Sequence, residues 1–236
     1  MRKILMALLL AVATTAAAQV RITPQLKEGL KKTYHYESFV ATDDSQQVSS
    51  NFDQTYEVLA SNADSAVVSL TYSNFQQSNT GQAPTIGGLF MGLQVRFSVN
   101  LDGSVRHLLN GKEMREKYPA DSDDSDSDYL DYLFSDNYLV SNMVNSPIGL
   151  FGKTITDGMQ EQGDDSDMTY HYQLSADGHT VDIHSASADD AGSLSIAKQF
   201  VFGQDWWPTV FSFSIETDLG REMGKNKTGM KATLVE

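Results

Sequence analysis

Most of this chain alternates apolar and polar residues with a period of two, the pattern of strands that bury one face. Tyr34-His35-Tyr36-Glu37-Ser38-Phe39-Val40 and Gln54-Thr55-Tyr56-Glu57-Val58-Leu59 read as strands. After an Asn62-Ala63-Asp64 turn, Ala66-Val67-Val68-Ser69-Leu70-Thr71-Tyr72 reads as the next. Leu93 to Val99 alternates cleanly, and Asp102-Gly103 turns it into Ser104 to Leu108, the sharpest hairpin signal in the chain. The second half repeats the pattern. Met168 to Leu174 turns through Ala176-Asp177-Gly178 into Thr180 to Ser187, and Ser193 to Phe202, Thr209 to Glu216 and Met230 to Val235 follow. A short helical lead is expected at Pro24 to Lys32.

The middle breaks the alternation. Lys112 to Lys117 reads as one or two helical turns ending before Pro119. From Tyr129 to Val144, Leu130, Leu133, Phe134 and Asn137 fall at helical spacing, with Pro147 just beyond. Between them runs Asp121-Ser122-Asp123-Asp124-Ser125-Asp126-Ser127-Asp128, expected as a solvated linker whose acids favour the start of the following helix. Residues 111–150 thus read as a helical insertion between β segments. The expected fold is mainly β: a curved antiparallel sheet, as a β-sandwich or half-barrel, with that insertion.

The first 18 residues change the picture by giving an address. Arg2 and Lys3 precede an apolar run from Ile4 to Val12, too short to span a bilayer, and Ala16-Ala17-Ala18 supplies the small residues a signal peptidase cuts. The expectation is a signal peptide at 1–18 and a single β-rich domain at 19–236, exported to the periplasm, the cell surface or the medium. No later apolar run reaches the length of a membrane-spanning helix. Without cysteine, neither disulfides nor a lipobox-type lipid anchor is available. The formal charge of −14 becomes two units more negative when Arg2 and Lys3 leave with the leader. That balance argues against nucleic acid and anionic membrane surfaces.

Candidate chemistry is sparse. With Asp124 as position one of a calcium loop, Tyr129 falls where glycine is needed and Ser135 where glutamate is needed, so the EF-hand register fails. Asp164-Asp165-Ser166-Asp167 is read as a similar acidic turn. His171 and His184 lie on adjacent expected strands, where two imidazoles and an acid would suffice for a metal but plain cross-strand pairing is the commoner explanation. No metal ligand set and no cofactor are assigned. GxSxG, HExxH, P-loop and cysteine-nucleophile signatures are all missing, so no catalytic residue is assigned and a non-enzymatic role is expected. Thr33-Tyr34-His35-Tyr36 and Thr169-Tyr170-His171-Tyr172 echo one another, which fits either an old duplication or coincidence in a Tyr-rich β protein.

Apolar residues in segments outside the clean strand pattern are the remaining candidates. Leu89, Phe90 and Met91 follow Gly87-Gly88 as a candidate flap. Leu133 and Phe134 sit on the inserted helix, and Trp206-Trp207-Pro208 in a loop either plugs the β core or offers a stacking surface. These seven residues are the expected lining of a ligand site.

The pattern resembles that of uncharacterised exported β-rich proteins of Gram-negative envelopes, of the domain-of-unknown-function type. The likeness is carried by Ala16-Ala17-Ala18-Gln19, by Tyr34-His35-Tyr36, by Tyr56 to Leu59 followed by Val67 to Tyr72, and by the Asp102-Gly103 hairpin leading into a helical middle. It implies an envelope location and no particular activity. Half-barrel lipid carriers of the periplasm are a looser architectural analogy. The leading expectation is a binding protein for a hydrophobic or amphipathic ligand, lipid in the first instance. A glycan-binding or structural module with an envelope protein partner is the alternative.

Overall fold

The computed structural model describes residues 18–42, 45–78, 90–118, 124–163, 168–189, 192–218 and 225–235. The first half supplies β1 (Gln19–Arg21), β2 (Lys31–Thr42), β3 (Ser45–Ser61), β4 (Ser65–Gln77), β5 (Gln94–Asn100) and β6 (Val105–Leu108). Three helices follow, α1 (Gly111–Arg115), α2 (Asp124–Leu133) and α3 (Asp136–Met143). Then come β7 (Thr154–Thr156), β8 (Gln160–Gln162), β9 (Thr169–Leu174), β10 (Thr180–Asp189), β11 (Gly192–Phe202), β12 (Pro208–Asp218) and β13 (Lys225–Leu234). Strand makes up 60% of the structure and helix 10%, so the protein is mainly β as the alternation predicts.

Eleven strands form one curved antiparallel sheet, in the order β6-β5-β4-β3-β2-β13-β12-β11-β10-β9-β8, and the sheet does not close. From β2 the chain steps outward to one edge at β6. From β8 it steps back from the other edge to β13, which pairs with β2 from Leu234↔Tyr34 to Asn226↔Thr42. The stretch between β6 and β8, holding the three helices and β7, therefore joins the two edges. It packs on the inner face: Phe134, Leu139, Met143, Ile148, Leu150 and Phe151 share a core with Tyr36, Tyr56, Phe97, Phe200 and Phe211 of the sheet. β1 pairs with β7 alongside, in a separate two-stranded ribbon.

The expected hairpins form where Asp-Gly turns place them. Gly103 (φ +89°) closes β5–β6 and Gly178 (φ +74°) closes β9–β10, both in the left-handed region that glycine enters without strain. Bulges interrupt the β2–β3 and β3–β4 ladders, and bulges bend a strand and increase its twist. At the bulge opposite Asp53, Asn74 takes φ +56° and its Nδ2 donates to Asp53 Oδ2 at 2.6 Å.

Two helix expectations are corrected. Pro24 to Lys32 is not helical, because tertiary partners take its backbone groups: Gln25 N–H donates to Asp205 O at 3.0 Å, and Gly29 N–H to Val58 O at 2.8 Å. The single helix expected over Tyr129 to Val144 is two helices, α2 and α3. The chain breaks at Ser135, whose Oγ caps α3 by accepting from Tyr138 N at 3.2 Å. α2 starts at Asp124, so part of the acidic run is helix rather than linker, consistent with acids favouring a helix amino end. Residues 1–17 of the expected leader, Asp121 to Asp123 and Asp164 to Asp167 lie outside the described residues.

Trp207 anchors one end of the inner core. It is 1% exposed, its Nε1 donates to Gln25 O at 3.0 Å, and its ring meets Phe151 edge-on at 5.1 Å. Trp206 sits half-buried at φ +62°, stacked on His179 at 5.3 Å. Trp207→Ala is expected to lower unfolding free energy by about 3–5 kcal/mol in urea titration, from the cavity and lost burial. Trp206→Ala is expected to lower it by only about 1 kcal/mol, the scale of one aromatic pair. Equal losses at the two positions would contradict this assignment.

Candidate functional site

Residues paired in register across a sheet point to the same side, so the ladders define rows on the inner face. One row runs Val181, Phe200, Phe211, Ala232, Tyr36, each at most 2% exposed, and forms the floor beneath the insertion. The next runs Tyr172, Ile183, Lys198, Phe213, Met230, Ser38. Beyond it lie Ile196 and Ile215, half-buried and apolar. The insertion covers the floor row and leaves these outer rows partly open.

Two clefts flank the end of α3 on this face. One, of about 410 Å³, is bounded by Val144, Gly149 and Leu150 from the insertion and by β8 to β11, which contribute Tyr170, Tyr172, Ile183, Lys198 and Phe200. The second, of about 330 Å³, lies between Met143, Asn145 and Ser146 and the strands carrying Tyr36, Ser38, Phe52, Tyr72 and Met230. Gly149 has no room for a side chain: a Cβ there would stand 2.5 Å from Val144 O, so the turn after α3 is drawn tight against the helix end. A third, narrower cleft of about 70 Å³ shares Tyr72, Asn142 and Met143 with the second.

The larger cleft carries the unusual electrostatics. At its rim Lys153 Nζ donates to Glu161 Oε2 at 2.5 Å and to Tyr172 Oη at 3.2 Å, and Tyr172 Oη donates to the same Glu161 oxygen at 2.5 Å. Burial pushes the Glu161 carboxyl up, but the bonds from Lys153 and Tyr172 outweigh it and hold the group below the usual carboxylate range. Burial first, then the neighbouring Glu161, pushes the Tyr172 hydroxyl well up. Deeper in, Lys198 is only 7% exposed. Its Nζ lies 5.6 Å from the Tyr170 ring centre and 5.7 Å from that of Phe213, and it has no hydrogen bond or ion pair among the described residues. Burial, then repulsion by Lys153, lowers its ammonium to about 8 against the pull of Glu161.

The residues expected from sequence to line a site converge only in part, and not on the larger cleft. Phe90 and Leu133 both line the narrow cleft, while Phe134 packs edge-on against Phe90 at 5.8 Å in the core. Met91 forms an isolated bridge with Tyr72 and is half-buried. Trp206 and Trp207 sit at the turn before β12, Trp207 as a plug of the core. Leu89 lies outside the described residues. His171 and His184 are register partners as expected, but both are exposed, and no group of three His, Cys, Asp or Glu that could hold a metal occurs among the described residues. Sequence reasoning missed Lys198, although the signal was present: Ile196-Ala197-Lys198-Gln199-Phe200-Val201-Phe202 puts a lysine in the apolar register of a strand.

No family model and no curated protein matches the chain. Among solved structures it is similar to a lipovitellin described for its lipid–protein interactions, at 10% identity and a TM-score of 0.41, covering 89% of this chain and 25% of that one. It is also similar to an S-type phycobiliprotein lyase from Guillardia theta, at 6% identity and a TM-score of 0.28, covering 89% of each chain. A DUF1329 family protein from Desulfovibrio piger matches at 8% identity and a TM-score of 0.22, over 89% of this chain and 86% of that one. The chain thus spans about a quarter of the lipovitellin's length, and likenesses at these scores carry no argument about activity.

The rim carboxylate makes a pH prediction. A carboxyl held low in the folded state stabilises the fold above its unfolded value, near 4.5, and loses that contribution as pH falls through the folded value. Glu161→Gln is therefore expected to be less stable than the parent at neutral pH, with the gap closing as the medium is acidified below about 4.5. The effect is modest because Glu161 is nearly half-exposed. Chemical denaturation at neutral pH and again well below 4 checks it, and a gap that widens on acidification would refute it.

Proposed function

We propose that this chain is an exported, non-enzymatic binding protein of the bacterial envelope that holds a hydrophobic or amphipathic ligand in the larger cleft on its inner sheet face. The observation that carries this reading is the cleft itself. Its roughly 410 Å³ falls within the range of about 300–1,000 Å³ usual for small-molecule sites, with Leu150, Ile183 and Phe200 among its walls and a few polar groups converging on it. Its neighbourhood supports the reading, since Ile196, Phe213, Ile215 and Met230 continue the apolar surface outward without being fully covered. The Ser185 hydroxyl, buried on the same face, has no hydrogen-bond partner among the described residues. Export rests on the leader-like pattern of residues 1–18, and the non-enzymatic role on the absence of a catalytic motif in the sequence and on a cleft whose rim network is an ion pair with a tyrosine.

Native mass spectrometry tests the reading on protein purified gently after export, from Gln19 onward. The expected result is a bound mass that organic extraction removes. Val144 stands half-exposed at the cleft mouth, so Val144→Trp is expected to fold normally and to lower the ligand-bearing fraction severalfold. A clean unliganded mass in the parent, joined by no uptake of added dodecanoate or dodecanol, would overturn the proposal.

A further inference from the structure

Lys198 is the one charged side chain on the inner face that is both buried and without an opposite charge bonded to it among the described residues. A lysine so placed is costly to the empty protein, because an ammonium taken out of water needs a partner to replace its hydration. The two nearest groups are ring faces, which satisfy an ammonium only in part. The nearby carboxylate is already engaged: Glu161 accepts from both Lys153 and Tyr172 at the rim. Counting Lys153, Lys198 and Glu161, the charged groups lining the cleft among the described residues, one positive charge is left uncompensated, in a protein whose formal net charge is −14. Screening confines the repulsion of distant acids to about 8–10 Å at ordinary salt, so the local balance governs what binds here.

Resting on the reading of the cleft as a ligand site, we infer that its ligand is a single-chain amphiphile with a monoanionic carboxylate head, seated so that the carboxylate meets Lys198 Nζ while the chain follows the apolar row toward Phe213 and Met230. One charge left over matches one carboxylate. A dianionic phosphate head would leave a negative charge uncompensated beside Glu161. Tyr170 and Phe213, on either side of Lys198, exclude water from the contact and so strengthen it. The groups facing Lys198 are Tyr170 and Tyr172 from β9, Glu161 from β8 and Lys153 from the insertion, with apolar Ile183 and Phe213 from β10 and β12. Free Lys198 loses its proton near pH 8, and a carboxylate ligand binds only the protonated form. Affinity is therefore steady from about pH 8 down to the acid range where the ligand's own carboxyl takes up a proton, and falls above pH 8 by up to tenfold per pH unit.

Isothermal titration of dodecanoate and dodecyl phosphate below their micelle concentrations, and of dodecanol below its solubility limit, tests the inference. Dodecanoate is expected to bind the parent at least about tenfold more tightly than dodecanol, the worth of one charge-assisted hydrogen bond. Lys198→Met keeps the length of the side chain and removes its charge. It is expected to erase that preference and the loss of affinity above pH 8, while raising the melting temperature of the unliganded protein. Equal binding of dodecanoate and dodecanol by the parent would overturn the inference and leave the ligand-site reading intact. Tighter binding of dodecyl phosphate than of dodecanoate would overturn the choice of head. Absence of binding by all three would remove the reading on which the inference rests.

Discussion

The pairing of β13 with β2 is the constraint on which the rest of the architecture depends. It joins the strands of the first half to those of the second at the middle of the sheet, so the outermost strands, β6 and β8, are separated by nine others. Yet β6 and β8 bracket one continuous stretch of chain, from Leu109 to Met159, which must reach from edge to edge. Bulges in β3 bend and twist the sheet locally, and apolar side chains on the helices and turns of that stretch pack on its inner face. A closed barrel would bury the inner face against itself. Here the face is buried only where the insertion crosses it, so open clefts on either side are a consequence of the connectivity.

Much of this was legible in the sequence, and what was not has a physical reason. The β9–β10 and β5–β6 hairpins could be read because period-two alternation and an Asp-Gly turn are local signals, written within about twenty residues. The β2–β13 ladder pairs Tyr34 with Leu234, and no local rule relates residues so far apart. Pro24 to Lys32 failed as a helix for the same reason, since Asp205 and Val58 claim its backbone from distant parts of the chain. The Trp206-Trp207 pair shows the limit of reading adjacent residues alike. A left-handed backbone at Trp206 turns one indole toward His179 while Trp207 enters the core.

The candidate site was less legible than the fold, because the residues that look like a lining are apolar ones in loops and on the inserted helix, whereas the informative residue is a charge inside a strand. The alternation of Ile196, Lys198, Phe200 and Phe202 already placed a lysine on the buried face. Lysines commonly escape such positions by extending to water along their own methylenes, which makes the pattern weak on its own. Only the packing shows that this one does not escape: Lys198 is almost fully buried, with Ile183 and Phe213 flanking it in register.

A buried cation with no bonded counter-charge works against folding, and the fold tolerates it because its neighbours can be afforded little else to do. Lys153 already holds Glu161, and moving Glu161 inward to meet Lys198 would break its bonds to both Lys153 and Tyr172. The rim network therefore fixes the carboxylate at the mouth and keeps the interior positive. An apolar residue at position 198 would give a more stable and wholly greasy cleft, able to take up any hydrophobe. With lysine there, the proposed ligand site would give up stability for discrimination: an anion would gain a partner, a neutral chain would leave the charge stranded, and a cation would be repelled. The same side chain that weakens the empty protein is the one that would give its cleft a preference.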